Sequence, residues 1–307
     1  MAATLATPVA QAVATLFDGT LGKLLNYGLS VGKGLLGAFS PLSLFASGEQ
    51  GVWYDPSDFT TLFQDSAGTT PVTAVEQPVG LILDKSKGLV LGDELVAPIN
   101  LTTGWTSSGA AVTFDSAATY TSAGVANVYK AYFVVGKWYK AVFKASFTGG
   151  IALYNATSAI NPIGPTLTLV SGTEYTFYFL AAATQLNIRA TSAATVTIDN
   201  ISVREIPGNH SKQATAAARP LLKATPTRID YDAVDDTLVA TFASSLGTDC
   251  TVCRAVPSVG ASILTAQTIG TTYTDNTDHC GLIIVNRALT AGETASVTAY
   301  LNAKAGV

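Results

Sequence analysis

Two pairs of sulfur and nitrogen donors are the strongest candidates for chemistry in this sequence. Cys250 and Cys253 stand three positions apart, and the adjacent residues His279 and Cys280 follow further along the chain. Together they offer four donors of the kind that tetrahedral zinc prefers. The first pair continues into the strand-like run Arg254–Val256, and residues three apart on a strand point to opposite faces. Free, buried cysteines are therefore the preferred interpretation. Zinc binding and a disulfide formed after release from the cell are the alternatives.

Enzymatic catalysis has little support in the sequence. The chain has two histidines, His210 and His279, and it contains no Gly-x-Ser-x-Gly motif. No pair of acidic residues marks a glycosidase, and no glycine-rich phosphate loop is present. The sequence therefore predicts a protein that is not an enzyme.

Sugar binding needs an aromatic ring that packs on the apolar face of the sugar, beside polar groups that match its hydroxyls. Trp105, Tyr120 and Tyr154 are the candidates for such a ring. Trp138 lies in the strand-like run Gly136–Phe143 and is predicted to be a core residue instead.

The composition limits the classes of function. Charged residues make up only 12% of the 307 residues, and the net charge is −4. This balance gives no basic footprint for nucleic acid, and a surface rich in small and hydroxyl side chains is typical of β-rich fibrous or virion proteins. Three cysteines are an odd number, which disfavours a disulfide framework. The chain lacks both a run apolar enough to span a membrane and the basic start of a signal peptide. We expect synthesis in a reducing cytoplasm, followed by export in a particle.

Residues 1–45 are predicted to be an apolar, partly helical anchoring arm. Apolar residues recur there every three to four positions, although several glycines weaken the helix. Only Lys23 and Lys33 are basic, too few for strong binding to a membrane surface. We expect the arm to dock onto another subunit through its apolar stripe, which comprises Leu5, Val9, Val13, Phe17, Leu21 and Leu24.

Thr197–Ile206 is typical of the last strand of a β-sandwich. Its apolar residues alternate except at Asp199-Asn200, where a β-bulge would fall. Together with Gly136–Phe143, this strand resembles the galactose-binding-like jelly-roll modules of many carbohydrate-binding domains. The resemblance implies a sandwich over residues 95–206. Its strands are predicted at 110–115, 125–134, 138–147, 149–154, 166–170, 174–181, 185–190 and 195–206.

The resemblance also implies one metal site. In such modules a carboxylate near the end of the last strand often binds a structural calcium ion, which prefers six to eight oxygen ligands. Asp199 would take that role here, with Asp93, Glu94 and Asn100 as candidate companions. The alternative is that Asp199 accepts hydrogen bonds from backbone amides at the bulge.

Residues 46–94 are predicted to be a loop-rich connector. Asp55-Pro56 begins a turn, and Asp58 or the residue before it can cap a short helix. This stretch is similar to a connector in structural proteins of tailed bacteriophages, where a carbohydrate-binding-like module and a tag similar to Gly208–Pro220 follow it. The chain has all three in that order. The resemblance implies a virion protein without separating head from tail.

Residues 207–307 are predicted to be a shorter β-domain that ends in a helix. Arg228–Leu238 and Leu282–Leu289 are strand-like, and Thr290 with Glu293 forms a capping box at the start of a helix that Gly306 ends. The strand-like ends of this domain are similar to parts of laminin-G-like sandwiches, but the interval between them is too short for a full sandwich. We expect an abbreviated domain, completed by neighbouring chains in a trimer.

The sequence thus predicts a mainly β protein, with a jelly-roll sandwich, a shorter β-domain and an anchoring arm. The predicted function is that of a minor capsid, decoration or head-fibre protein on a virion surface. The alternative is a tail-fibre or tail-tip adhesin that binds host surface glycans. The expected partners are major capsid or tail proteins and two further copies of the chain in a homotrimer, with no nucleic acid, no membrane span and no cofactor besides the candidate calcium.

Overall fold

The structure is a computed structural model that describes residues 39–164 and 169–307. The apolar stripe of the predicted arm (Leu5, Val9, Val13, Phe17, Leu21 and Leu24) lies outside the described residues, as does most of the strand predicted at 166–170. The described part is mainly β, which confirms the predicted fold class.

The described strands and helix have the following bounds, in chain order. They are β1 (Gly51–Tyr54), β2 (Leu62–Phe63), β3 (Leu81–Ile82), β4 (Thr106–Gly109), β5 (Val112–Phe114), β6 (Thr119–Ser122), β7 (Ala126–Ala131), β8 (Trp138–Phe147), β9 (Ile151–Tyr154), β10 (Glu174–Leu180), β11 (Gln185–Ala190), β12 (Ala194–Glu205), β13 (Ser211–Lys212), β14 (Leu221–Lys223), β15 (Arg228–Asp230), β16 (Leu238–Thr241), β17 (Gly247–Val256), β18 (Gly260–Ile269), β19 (Thr272–Asp275), β20 (Leu282–Val285) and α1 (Ala291–Ala305). Short 3-10 helices span Pro41–Phe45, Phe59–Thr61 and Ala216–Ala218. The first corrects the end of the predicted arm 1–45, because Leu44 and Phe45 are buried where this helix contacts β20.

Residues 95–206 form the predicted sandwich, which we call the inserted sandwich. One antiparallel sheet has the strand order β10-β8-β12-β6-β5, and the other has the order β4-β7-β11-β9. The register of β12 against β8 shifts between Ile198 and Asn200, which confirms the predicted bulge. The core lies between the sheets and contains the buried side chains of Phe143, Phe177 and Ile188. Strands β4 and β6 were not predicted.

Nine of the remaining strands build a second sandwich, which we call the base, and β14 pairs with β15 in a separate two-stranded sheet. Its sheets have the orders β1-β20-β17-β18 and β19-β16-β13-β3-β2. The first sheet pairs Val52 with Ile284, and the second pairs Ser211 with Ile82 on one side and with Ala240 on the other. The predicted connector 46–94 thus supplies three strands of the base.

This arrangement corrects two predictions. Residues 46–94 are not a separate connector, because Val52, Leu62 and Ile82 are fully or almost fully buried in one core with Leu282 and Ile284. The C-terminal β-domain is not a separate domain either, because its strands β20 and β13 pair with β1 and β3 of the same chain. The base contains segments from both sides of the inserted sandwich.

The C-terminal helix confirms its sequence signals. The Thr290 side chain accepts a hydrogen bond from the amide of Glu293, whose carboxylate accepts one from the Thr290 amide, and Gly306 ends the helix in the left-handed conformation. The buried side chains of Val297 and Leu301 lie where α1 packs against β17 and β18. The helix therefore covers the outer face of one base sheet.

The two chain segments that join the sandwiches are hydrogen-bonded to each other, and we call them the stalk. The amide of Gly92 donates to the carbonyl of Glu205 (2.9 Å), and the amide of Leu95 donates to the carbonyl of Val203 (3.0 Å). The carboxylate of Glu94 accepts from the Val203 amide (2.9 Å) and from the Ser202 hydroxyl (2.5 Å). The chain therefore enters and leaves the inserted sandwich side by side.

A hydrophobic junction fixes the inserted sandwich on the base. Phe63 of the base lies against Tyr178 of the inserted sandwich, with ring centroids 5.0 Å apart, and the Tyr178 amide donates to the Ala67 carbonyl (2.7 Å). Gly68 has a φ of +67°, and a Cβ there would lie 2.4 Å from the Tyr178 ring. Only glycine combines this backbone conformation with such a close approach.

A buried polar cluster lies at the same junction. The carboxylate of Asp84 accepts from the amides of Trp53 (2.8 Å) and Asn209 (2.7 Å), while the Asp84 amide donates to Nδ1 of His210 (2.9 Å). The His210 ring lies 5.0 Å from the ring of Trp138, which is a core residue as predicted. Burial raises the pKa of Asp84 and lowers the pKa of His210 to about 3, so His210 is neutral in the folded protein.

Candidate functional site

The cysteines and His279 do not assemble into a metal site. Cys250, Cys253 and Cys280 are free and buried, as the preferred interpretation stated. The Nε2 atom of His279 lies 2.8 Å from a carboxylate oxygen of Asp275 and is thereby engaged with a carboxylate rather than a thiol. Burial raises the pKa of Cys253 to about 12, which opposes the thiolate that zinc would need.

The residues predicted to bind calcium form hydrogen bonds with different parts of the chain. One carboxylate oxygen of Glu94 accepts from the amides of Val96, Ala97 and Val203, and the other from Ser202. Burial opposes ionisation, but these hydrogen bonds lower the pKa of Glu94 to about 2. Asp199 sits in the bulge.

The hydrogen bonds of Asp199 differ from both expectations. Asp199 accepts a bond from the hydroxyl of Ser146 (2.7 Å), rather than from the bulge amides that the alternative predicted. The side-chain oxygen of Asn100 accepts hydrogen bonds from the amide and the hydroxyl of Thr102. Glu94 therefore holds the two segments of the stalk together through its hydrogen bonds to Ser202 and Val203. Glu94 and Asp199 do not lie in one group of metal ligands.

One other acidic group does bring three carboxylates together. Asp232, Asp235 and Asp236 lie in the turn after β15, and one carboxylate oxygen of each lies within 4.8 Å of the others. Within residues 39–164 and 169–307 this is the one group of three or more His, Cys, Asp or Glu side chains close enough to share a metal ion. One Asp232 oxygen accepts from the amides of Val234, Asp235 and Asp236. These bonds account for the conformation of the turn.

The three predicted sugar-binding rings have different environments. Tyr120 is fully buried, and its hydroxyl donates to the carbonyl of Ile188 (3.1 Å). Trp105 is also buried, with its ring 6.0 Å from that of Tyr132. Neither ring offers a free face to a sugar, so these two predictions are corrected. Tyr154 is half-buried at the end of β9, the edge strand of its sheet, and it keeps part of its ring exposed.

The structure shows a different candidate site at the open side of the base, where the edge strands β18 and β19 of its two sheets lie together. A groove of about 210 Å³ opens there. Its lining comprises Val252, Arg254, Leu264, Gln267, Thr268, Ile269, Gly270, Thr272, Tyr273 and Thr274. We call this feature the edge groove.

Arg254 and Tyr273 are fixed in the edge groove by a buried network. Asp275 accepts from Nη2 of Arg254 (2.8 Å) and from the hydroxyl of Tyr231 (2.8 Å), and its carboxylate lies 2.8 Å from Nε2 of His279. The same Nη2 atom of Arg254 donates to the hydroxyl of Tyr273 (3.1 Å). The Nε atom of Arg254 is buried and has no partner in the described part of the chain.

Asp275 and Arg254 compensate each other's charge. Burial opposes the ionisation of Asp275, but its contacts with His279 and Arg254 lower its pKa. Burial also opposes the charge of Arg254, but the carboxylate of Asp275 raises its pKa. Burial raises the pKa of Tyr273. At neutral pH the groove therefore holds a compensated Arg–Asp pair behind a protonated tyrosine.

Sequence reasoning missed Arg254, Tyr273 and Asp275, although a signal was present. In β17 the side chains of Cys250 and Val252 enter the core between the sheets, and Arg254 continues the same alternation. A charged residue at an inward position of a strand needs a buried partner. That partner, Asp275, lies on another strand, so the sequence alone could not identify it.

Comparison with known proteins adds no relative. No protein-family model matches this sequence, and no curated protein matches it. Among the helices in residues 39–164 and 169–307, none has the length and apolar character needed to cross a membrane.

Proposed function

We propose that this chain is a non-enzymatic structural protein of a virion surface, of the minor capsid, decoration or head-fibre type. The observation that carries the proposal is the construction of the stalk and the junction. The inserted sandwich is joined to the base by two chain segments that run side by side, with Leu95 hydrogen-bonded to Val203. In this proposal its opposite end faces away from the base.

The junction makes this display rigid rather than flexible. Trp138, Tyr178 and Ile206 of the inserted sandwich and stalk are buried against Phe63 and Leu81 of the base. A flexible linker would leave such side chains exposed, and an apolar contact of this kind resists hinge motion. A protein that presents one domain at a fixed position above another suits a repeated, ordered surface.

Two features of the sequence supply the virion context. The order of the 46–94 stretch, the sandwich and the Gly208–Pro220 tag resembles structural proteins of tailed bacteriophages. The low fraction of charged residues suits a subunit that buries much of its surface in an assembly. In this proposal the apolar segment before Pro41 anchors the chain among the major capsid or tail proteins, and the chain forms a homotrimer.

A second candidate function is that of a tail-fibre or tail-tip adhesin for host surface glycans. The edge groove favours it, because Arg254 and Tyr273 form a prearranged polar and aromatic surface at an open edge of the base. Both functions place the protein on the outside of a particle, and they differ in its position.

Immunogold labelling of intact particles tests the proposal directly. Label on the head supports the capsid function, and label on the tail tip supports the adhesin. If the particles carry no label and the protein stays soluble in the lysate, the proposal is wrong.

A truncated chain that lacks residues 1–40 tests the anchor; it keeps Pro41–Phe45, because Leu44 and Phe45 are buried where this 3-10 helix contacts β20. We expect this chain to fold and to be absent from particles, whereas a control with Lys23→Ala and Lys33→Ala should be incorporated normally. Incorporation of the truncated chain at the normal level would refute the anchoring role. Sedimentation of the purified full chain measures the oligomer, for which the mass of three chains is expected.

A further inference from the structure

We propose that the edge groove of the base is a binding site for an uncharged, hydroxyl-rich saccharide. The inference goes beyond the structural function, because it assigns a ligand to residues that sequence reasoning had not selected. It deepens the adhesin alternative but does not depend on the position of the protein in a particle.

The edge groove has the parts that a small polar ligand needs. It is concave and open to solvent, and its floor combines the aliphatic residue Val252 with the half-buried ring of Tyr273. Polar residues of several strands converge on it, namely Arg254 of β17, Gln267 of β18 and Tyr273 of β19. Binding sites are typically apolar concavities with a few fixed polar groups of this kind.

The polar side chains behind the groove are held in place before any ligand arrives. Asp275 is 2% exposed, and it fixes Arg254 through a hydrogen bond of 2.8 Å. Arg254 in turn holds the hydroxyl of Tyr273, and Tyr231 and His279 hold the second oxygen of Asp275. A ligand would therefore meet a rigid surface, and little conformational entropy would be lost on binding.

The charge of the groove indicates an uncharged ligand. The positive charge of Arg254 is compensated by Asp275, so a phosphate or carboxylate would gain little net attraction. The remaining polar groups are hydroxyls and one amide. Gln267 donates through its Nε2 atom to the Thr265 carbonyl, and its Oε1 atom makes no hydrogen bond within the described residues, so it can accept from a ligand hydroxyl.

The apolar parts of the groove suit the other face of a sugar. Leu264 is 48% exposed at its rim, beside Ile269, Val252 and the Tyr273 ring. A saccharide ring has C–H groups on one face and hydroxyls around its edge, so it can pack on an aromatic or aliphatic surface while its hydroxyls bond to flanking groups. Thr268, Thr272 and Thr274 also line the same groove.

The test is direct binding of defined glycans to the purified full chain. An array of neutral oligosaccharides built from glucose, galactose and N-acetylhexosamines, with acidic polysaccharides beside them, identifies the ligand. Titration of the strongest neutral oligosaccharide, followed by NMR up to 10-millimolar concentrations (about the limit at which a weak single site is detectable), then measures its affinity.

Three variants locate the site. We expect Tyr273→Ala and Gln267→Ala to weaken binding, the former by about tenfold or more because it removes the central ring. The matched control is Tyr154→Ala, which removes the half-buried ring predicted from the sequence on the inserted sandwich and should leave binding unchanged. Gln267 is partly exposed at an edge strand, so its substitution should not affect folding even if Tyr273→Ala does.

Three results would overturn the inference. The first is no binding of any neutral glycan over that concentration range. The second is binding that survives both groove substitutions or that Tyr154→Ala abolishes. The third is stronger binding of acidic than of neutral saccharides through the same residues. None of these results bears on immunogold labelling, so failure of this inference and failure of the structural function are distinguishable.

Discussion

Protonation of His210 is expected to weaken the junction between the two sandwiches as the pH falls. In the folded chain His210 is fully buried, and its Nδ1 atom accepts the amide hydrogen of Asp84. Its pKa is about 3, compared with 6.5 for an ordinary histidine. Between these two pH values the unfolded chain binds a proton that the folded chain does not, so stability decreases as the pH falls from 6.5 towards 3.

The size of this effect follows from the two pKa values. At pH 7 the unfolded histidine is mostly neutral, and the contribution is small. At pH 5 it is mostly protonated, which favours the unfolded state by about 2 kcal/mol. The change His210→Asn removes the titrating group, and the Asn side-chain oxygen can still accept from the amide of Asp84.

The assay compares urea unfolding of the native chain and the His210→Asn variant at pH 7 and at pH 5. Fluorescence is a suitable signal, because the Trp138 ring packs against His210. Between pH 7 and pH 5 the native chain should lose about 2 kcal/mol more stability than the variant. Other titrating groups are present in both proteins, and their contributions cancel in the difference. Equal losses in the two proteins would show that His210 is not held neutral by burial, and the reasoning would be refuted.

Three further predictions concern the junction, the stalk and the thiols. Gly68→Ala should destabilise the chain by about 3 kcal/mol, because the new methyl group would collide with Tyr178 and the backbone has a positive φ; an unchanged melting temperature would contradict this. Glu94→Gln should cost about 1–3 kcal/mol at pH 7. The pKa of Glu94 is about 2 in the folded chain and 4.5 in the unfolded chain. The difference in unfolding free energy between the native chain and the variant should therefore become smaller as the pH falls from 4.5 to 2. A difference that does not change with pH would show that the Glu94 carboxylate does not stabilise the stalk. Burial raises the pKa of Cys253 to about 12 and of Cys280 to about 11, so both should react with a thiol reagent only in denaturant, and rapid labelling of the folded chain would refute their burial.

Local features of the fold could be predicted from the sequence because their causes are local. The bulge at Asp199-Asn200 follows from an interruption of the apolar alternation, and the cap of α1 follows from two residues three positions apart. By contrast, β4 has the sequence Thr-Ser-Ser-Gly and is exposed along its whole length. It has no apolar alternation, and its partner β7 defines it as a strand.

The base could not be predicted, because its pairing joins distant segments. Nothing in the run Gly51–Tyr54 identifies Leu282–Val285 as its partner, and each run is compatible with many neighbours. The edge groove was missed for the same reason. Arg254 and Asp275 lie on strands of different sheets, and only the packing of the two sheets brings them to a distance of 2.8 Å.

The division of the base into two segments has a consequence for biosynthesis. When Val52 leaves the ribosome, its pairing partner Ile284 has not been translated. At about 5–20 residues per second, the nascent chain must hold this apolar strand unpaired for on the order of 10–50 seconds. The inserted sandwich is complete long before then and can fold first. A chain whose translation stops before β20 should therefore contain a folded inserted sandwich and an incomplete base. The unpaired apolar strands of that base would be prone to aggregation and would need protection by chaperones.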